Sequence, residues 1–146
     1  LSARQKISRA SIPTIRAQKE GKSIEWYVVN LLLSSRTGDG KVNTFANKLK
    51  EFQNSDGGWG WLVNDPSDAL GTGMALYALH YLNSEKTLEA RTKAIEFLIR
   101  TQRTDGTWSV KGTKKKKREK VEETSTYWGT AWAIIGLTSG LSDNEH

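Results

Sequence analysis

Two carboxylates and a hydroxyl lie close together between residues 65 and 68, and these are the side chains most able to do chemistry in this chain. Asp65 and Asp68 can act as general acids or bases, whereas the hydroxyl of Ser67 is far too weak an acid to deliver a proton. The stretch also looks like a helix start, capped either by Asp65 before Pro66 or by Ser67. Carboxylates at such a start are expected to be ionised and to accept hydrogen bonds, so Asp65 and Asp68 are only weak candidates for catalytic residues.

Other catalytic and metal-binding patterns have little support in the sequence. A serine, histidine and aspartate set could be drawn from Ser67, His80 and Asp68, but the Gly-x-Ser-x-Gly context of such a nucleophile is missing. Cysteine is absent, which excludes disulfides, thiolate metal sites and a cysteine nucleophile. Histidine occurs only as His80, inside an apolar stretch, and as His146, so neither a metal site nor a cofactor is predicted.

A short turn occurs twice, and equivalent positions in the two copies are 49 positions apart. The first copy consists of Gln53, Asp56, Gly57 and Trp59, and the second of Gln102, Asp105, Gly106 and Trp108. The segment 71–79 likewise aligns with the segment 129–137, at an offset of 58 residues. Self-similarity at a period near 50 residues is typical of a repeat architecture.

The turn is expected to have a structural role first. A glutamine at the end of one helix can bond backbone groups at the start of the next helix, and Asp-Gly permits the tight turn between them. The hypothesis that the glutamines and tryptophans form a ligand site is therefore less favoured than a structural role.

Helices of two kinds alternate along the chain and must position these residues. Residues 42–53 and 87–101 have the pattern of amphipathic helices, whereas residues 26–33, 69–82 and 127–138 are apolar on nearly every side. An amphipathic helix covers a core from outside, and an all-apolar helix must be enclosed on both flanks. The pattern predicts an all-α fold of helical-hairpin repeats, arranged as a curved double layer that could close into a ring. The three helix pairs are expected at 1–36, 41–83 and 87–140.

Several residues are expected to mark helix ends. Ser23 is a candidate N-cap, and Thr124 or Ser125 is expected to cap the last apolar helix. Gly140 is suited to the left-handed position that follows a helix. Two glycines inside the middle apolar helix, Gly71 and Gly73, lower its helix propensity, and such residues usually stay because another backbone or a ligand comes close.

Positive charge is concentrated in two segments. The net formal charge of the chain is +6, of which residues 111–120 carry +6 and residues 1–22 carry +5, so that the remainder is negative. A basic stripe can attract an anionic membrane, but a solvated loop and a basic N-terminal helix broken at Pro13 are the plainer interpretation. No aromatic residue interrupts the lysine run, so no nucleic-acid partner is predicted.

The stretch from residue 93 to residue 108 resembles the QW motif of squalene–hopene and oxidosqualene cyclases. It has the basic-small pair, the aromatic-aliphatic helix end, and then Gln102, Gly106 and Trp108; the copy from Gln53 onward is similar. The resemblance implies the α/α toroid shared by terpenoid cyclases and protein prenyltransferases, in which six helix pairs close the ring. Residues 1–146 are therefore expected to form a single toroid-like domain, a fragment of a longer and bacterial protein.

The resemblance also gives expectations for activity. The acid motif of the cyclases, Asp-x-Asp-Asp, corresponds to residues 65–68, with Ser67 at the proton-donating position, and the zinc ligands of the prenyltransferases are missing. The expected function is therefore an apolar-ligand or partner-binding module that lacks cyclase activity by itself. The alternative is a fragment of a terpene cyclase whose catalytic acid lies outside this segment.

The concave side of such a partial ring is expected to be open and apolar. Its expected lining consists of Trp26, Met74, Tyr77, Tyr127, Trp128 and Trp132. Exposed apolar patches of this kind usually mark a ligand or partner surface. The expected occupants are the remainder of the polypeptide, a second copy of the chain, or an isoprenoid or lipid-like ligand.

Overall fold

The fold is all-α. The computed structural model describes residues 13–14 and 20–141, and five α-helices lie in this part of the chain: α1 (Ile24–Thr37), α2 (Val42–Glu51), α3 (Ala69–Leu82), α4 (Leu88–Thr101) and α5 (Glu123–Ser139). Short 3-10 turns occupy Glu85–Thr87 and Lys115–Lys117. β-pairing in the described residues is limited to three isolated bridges. The basic N-terminal helix expected from the sequence lies outside the described residues, except that Pro13 and Thr14 are helical.

The helices form two layers, as the alternation of patterns predicts. The inner layer consists of α1, α3 and α5, with α3 packed between the other two, and the outer helices α2 and α4 pack against α1 and α3 respectively. The inner helix α3 is buried along its whole first half, from Ala69 to Leu76. This arrangement of helical hairpins is part of an α/α toroid.

Glycines set the distance between the two inner helices that pack most closely. A Cβ atom at Gly73 would overlap the backbone of Trp132, and a Cβ atom at Gly136 would lie 2.8 Å from the carbonyl oxygen of Gly73. Another backbone also approaches Gly71, where a Cβ atom would overlap the carbonyl of Gly60. The helix-propensity cost of these glycines is therefore offset by close helix packing.

The start of α1 agrees with the sequence, and the start of α3 does not. Ser23 accepts a hydrogen bond from the backbone N–H of Trp26 at 3.2 Å, as an N-cap does. The caps expected for α3, Asp65 or Ser67, are wrong, because Asp68 caps this helix by accepting from the backbone N–H of Gly71 at 2.8 Å. The reason is a β-bridge to the Trp59 segment that keeps Asp68 extended, so that the helix begins only after it.

The residues expected to cap α5 are also wrong. The helix begins at Glu123 rather than after Thr124 or Ser125, because the preceding Glu122 is held extended and donates its backbone N–H to the carbonyl oxygen of Val110 at 3.1 Å. Gly140 ends the helix with φ −82°, not in the left-handed region. The absence of a side chain at Gly140 leaves room for the imidazole of His80, which a Cβ atom there would overlap.

The lysine-rich segment is a surface loop between the second turn and α5. Its side chains from Lys114 to Lys120 are exposed, and Lys117 forms an ion pair with Glu122 at 2.5 Å. None of the described helices is both long enough and apolar enough to span a membrane. An attraction of the loop to an anionic surface stays an expectation.

Candidate functional site

The first Gln–Trp turn ties two outer helices together through one side chain. The amide nitrogen of Gln53 donates to the carbonyl oxygen of Gly57 at 2.8 Å and to that of Ala90 at 2.9 Å. Gln53 follows α2, and Ala90 lies in the first turn of α4, so the end of one outer helix is tied to the start of the next. Trp59 is fully buried and donates its indole N–H to the carbonyl oxygen of Leu49 at 2.8 Å.

A threonine on the inner helix completes this turn. The hydroxyl of Thr72 accepts from the backbone N–H of Trp59 at 2.9 Å and lies 3.2 Å from the carbonyl oxygen of the same residue, to which it donates. Thr72 is fully buried. Sequence reasoning missed this residue, although a signal exists, because Gly-Thr recurs at residues 129–130 in the second unit.

The second turn repeats this geometry. Gln102 donates to the carbonyl oxygen of Gly106 at 3.0 Å, and the indole N–H of Trp108 donates to the carbonyl oxygen of Leu98 at 2.9 Å. The backbone N–H of Trp108 donates to the hydroxyl of Thr130 at 3.2 Å. Both turns therefore fix an outer helix, a loop and an inner helix in the same relative arrangement.

The two aspartates of the turns hold their own loops. Asp56 accepts from the backbone N–H of Gly58 at 3.0 Å, and Asp105 accepts from that of Thr107 at 3.0 Å. Hydrogen bonds from the hydroxyl and the N–H of Thr107 keep the pKa of Asp105 below its usual range. These contacts give the aspartates a structural role.

The candidate acid stretch is packed against the first turn. The hydroxyl of Ser67 donates to Asp56 at 2.6 Å and accepts from the amide of Asn54 at 2.9 Å. The same amide donates to the backbone carbonyl of Asp65 at 2.9 Å. Ser67 therefore holds the loop before α3, and its hydroxyl is engaged at both its donor and an acceptor position.

Asp68 has unusual electrostatics for a capping residue. Burial is the main cause that raises its pKa to about 6, with a smaller contribution from the charge of Asp65, while hydrogen bonds from the backbone of Gly71, Leu70 and Trp61 oppose the shift. Asp68 accepts the expected capping hydrogen bond, but the loss of hydration outweighs the effect of such bonds on the pKa of its carboxyl. Asp68 can hold a proton at mildly acidic pH.

A groove of about 280 Å³, with both charged and apolar side chains in its walls, opens beside this carboxylate. Its walls come from the loop before α3 and from the lysine-rich loop: Trp61, Asp65, Pro66, Ser67, Asp68, Ser109, Lys111, Gly112, Arg118 and Val121. Sequence reasoning did not foresee that Lys111 and Arg118 would face the two acids across this groove.

A second groove of about 340 Å³ lies along the inner helices, and Trp61 lines both. Four of its apolar side chains come from equivalent positions of α3 and α5, 58 residues apart: Leu70 with Trp128, and Met74 with Trp132. We call these four residues the inner groove. Sequence reasoning missed Leu70 and Trp61, although Leu70 is the repeat equivalent of Trp128.

Of the other residues predicted to line the concave side, Tyr77 and Tyr127 pack against tryptophans of the inner groove, and Trp26 does not. Tyr77 packs edge-on against Trp132, with ring centroids 5.9 Å apart, and Tyr127 packs in the same way against Trp128 at 5.6 Å. Trp26 lies elsewhere. It packs against Phe45 of α2, with ring centroids 5.9 Å apart, and lines a separate groove with Glu20 and Lys41.

Comparison with known proteins finds sequence similarity over only a part of the chain. No protein-family profile matches the chain. Drimenyl diphosphate synthase of Streptantibioticus cattleyicolor is 43% identical over 58 residues, which are 40% of this chain and 10% of that protein. The similarity to a terpene synthase therefore concerns one segment, and the chain spans only a small part of the relative.

Solved structures with the same fold come from two bacterial proteins described as possible members of the GH105 family. The Salmonella enterica protein has a TM-score of 0.60 and 19% identity, and the Klebsiella pneumoniae protein has a TM-score of 0.58 and 21% identity. Each comparison covers 82% of this chain, and 38% and 37% of the other chains respectively. At such identities the likeness concerns the fold alone.

Proposed function

We propose that this chain is a squalene-cyclase-like repeat module that holds an apolar, isoprenoid-like chain in the inner groove and lacks cyclase activity by itself. The observation that carries the proposal is the apolar lining of that groove by Leu70, Met74, Trp128 and Trp132. The similarity to a terpene synthase over 58 residues supports this class of ligand.

The exposure of the groove supports binding. Trp128 is 53% exposed, and Trp132 is partly exposed, although both are large aromatic side chains. Covering apolar surface is favourable by roughly 25 cal/mol per Å², and an aromatic side chain can bury on the order of 150–250 Å². A chain of isoprene units supplies only apolar surface, which matches these four side chains. The polar part of the groove wall consists of Glu25, Thr113, Thr124 and Ser125.

The absence of an independent acid activity follows from Ser67. Its hydroxyl is bonded to Asp56 and Asn54, and no hydroxyl has the acidity that alkene protonation needs. In this proposal the remainder of the polypeptide, or a second copy of the chain, closes the groove from the open side.

A binding measurement tests the proposal. Quenching of tryptophan fluorescence by farnesol, used as a short isoprenoid probe, is expected to saturate with the unchanged chain. Trp132→Ala is expected to weaken binding at least about tenfold, a loss of ~1.4 kcal/mol. Trp26→Phe is the matched control, because Trp26 lines a different groove. Equal affinities of all three proteins would contradict the proposal.

The second candidate function is a part of a terpene cyclase whose catalytic acid is supplied from outside this segment. Two observations favour it: the similarity to drimenyl diphosphate synthase, and the raised pKa of Asp68, which lines the neighbouring groove. Asp65 and Asp68 would then be auxiliary acids. Cyclised product from squalene with the parent polypeptide, lost on Asp65→Asn or Asp68→Asn, would establish this candidate and defeat the first.

A further inference from the structure

The groove beside Asp68 has walls of opposite charge, and we call it the charged groove. Asp65 and Asp68 belong to the wall that the loop before α3 supplies, and Lys111 and Arg118 belong to the wall from the lysine-rich loop. No nitrogen of either cation lies within 4.0 Å of an oxygen of either carboxylate. The two pairs of charges therefore border an open space instead of neutralising each other in ion pairs.

The basic wall has a defined shape. The lysine-rich loop is closed at its base by an antiparallel bridge between Lys111 and Val121. Inside the loop, the backbone N–H of Gly112 donates to the carbonyl oxygens of Lys117 and Lys120, at 3.2 and 3.0 Å. A Cβ atom at Gly112 would lie 2.6 Å from the Cβ atom of Lys117, so this closure needs glycine. The backbone of the loop therefore holds its cations beside the groove.

The acidic wall is fixed by the first Gln–Trp turn. The side-chain amide of Asn54 donates to the backbone carbonyl of Asp65 at 2.9 Å, and the bridge from Trp59 holds Asp68 extended. A Cβ atom at Gly60 would lie 2.7 Å from the Cβ atom of Asp65, so the turn packs directly against this wall. Contacts within the protein therefore set the positions of both walls.

The basic wall belongs to a longer connection that occurs only in the second unit. Equivalent positions are 49 residues apart in the turns but 58 apart in the inner helices, so the segment between Trp108 and α5 has nine extra residues. The lysine-rich loop lies in this segment and supplies Lys111 and Arg118 to the groove. The charged groove is therefore a feature of this connection and not of the repeat itself.

We propose that the charged groove binds a small zwitterion with a primary ammonium group at one end and a phosphate group at the other, as in phosphoethanolamine. The ammonium group would donate hydrogen bonds to Asp65 and Asp68, and the phosphate would accept from Lys111 and Arg118. Two separate cations suit a phosphate, whose oxygens point in different directions, and arginine binds such a group through a pair of N–H donors. A ligand with only one charge would be repelled by the wall of the same sign.

Such a zwitterion can be a free molecule or the head group of a lipid. Trp61 lines both the charged groove and the inner groove, so an apolar chain attached to the head group would lie against Leu70 and Met74. The lipid source rests on the proposed function, whereas zwitterion binding in the charged groove does not.

Titration calorimetry at about pH 7.5, where the Asp68 carboxyl is ionised, tests the proposal. Glycerophosphoethanolamine is expected to bind saturably to the unchanged chain. Glycerophosphoglycerol keeps the phosphodiester but has no ammonium group, and it is expected to bind at least about tenfold more weakly. The same loss is expected for ethanolamine, which has no phosphate.

Variants of each wall test the two contacts separately. Asp65→Asn and Arg118→Gln are each expected to weaken the binding of glycerophosphoethanolamine at least about tenfold. Glu119→Gln and Lys116→Gln are the matched controls, because they make the same changes of charge at exposed loop positions that do not line the groove. They are expected to change the affinity less than about twofold. Equal affinities for glycerophosphoethanolamine and glycerophosphoglycerol would overturn the proposal, as would full affinity of Asp65→Asn or the absence of saturable binding.

A short-chain lysophosphatidylethanolamine distinguishes the two sources of the zwitterion. If it binds more tightly than glycerophosphoethanolamine, and Trp132→Ala removes only this gain, the charged groove holds the head group of a lipid. If the two probes bind equally, the charged groove holds a free zwitterion, and the result counts against the inner groove as a site for an apolar chain. Either result supports the charged groove, so its failure and that of the proposed function are told apart.

Discussion

The side-chain amide of Gln53 donates to the carbonyl oxygen of Ala90 at 2.9 Å, and this contact links residues 37 positions apart. A backbone carbonyl has two lone pairs, so Ala90 can accept this bond in addition to its helical partner. The same amide holds Gly57 within its own turn at 2.8 Å. A single side chain therefore fixes the spacing of two outer helices.

Replacing Gln53 by Ala is expected to lower the free energy of unfolding by about 1–3 kcal/mol, because two partly buried hydrogen bonds are lost. Gln102→Ala is the matched control. It removes one exposed bond to Gly106, and the expected loss is at most about 0.5 kcal/mol. Urea denaturation of both variants, followed by circular dichroism, measures the difference. Equal losses would mean that the bond to Ala90 contributes nothing.

The turn glycines give a second matched pair. Gly57 and Gly106 have φ values of 92° and 82°, so an Ala at either position carries a similar strain of about 1 kcal/mol. At Gly57 the new methyl group would also press on the carbonyl of Lys93, 2.5 Å away.

Gly57→Ala is therefore expected to cost about 1–3 kcal/mol more than Gly106→Ala in the same denaturation experiment. If Gly106→Ala proved as damaging as Gly57→Ala, the covered and uncovered turns would not differ as the structure indicates.

Much of the fold could be predicted from the sequence, because the features that determine it are local and repeated. Five helices and their division into two layers followed from hydrophobic pattern, and Ser23 caps the start of α1 as expected. The sequence also suggested that a glutamine bonds the start of the next helix, and Gln53 bonds Ala90.

The helix caps and the site were less predictable, because they depend on contacts between distant segments. Asp68 caps α3 only because a bridge to the Trp59 segment holds it extended, and the pKa of its carboxyl is set by burial that local sequence does not report. The aromatic side chain of Trp26 is typical of a groove lining, but it packs against Phe45 of an outer helix.

The buried Thr72 hydroxyl is expected to contribute to stability. Thr72→Val keeps the shape but removes the acceptor for the N–H of Trp59 and the donor to its carbonyl, so the buried N–H loses its partner. The expected loss is about 1–3 kcal/mol. Thr130→Val, at the equivalent and partly exposed position, is expected to cost less, because water can replace its bond to Trp108. Thermal melts of the two variants compare them, and a larger effect at Thr130 would contradict the argument.

The carboxyl group of Asp68 is expected to make stability depend on pH. Its pKa is about 6 in the folded chain against an ordinary value of 3.8, so the folded state binds the proton more tightly than the unfolded state. The stabilising contribution is complete below about pH 4 and is lost as the pH rises through about 6. The shift corresponds to at most about 3 kcal/mol.

Asp68→Asn isolates this contribution, because asparagine caps helices as well as aspartate does and stays neutral. The free energy of unfolding of the variant, measured from pH 4 to pH 7, is expected to fall less than that of the unchanged chain, and the two should differ most at pH 7. Asp65→Asn is the control. Since burial is the larger cause of the raised pKa of Asp68, this variant should keep most of the pH dependence. Parallel curves for Asp68→Asn and the unchanged chain would show that Asp68 titrates as an ordinary, hydrated carboxyl.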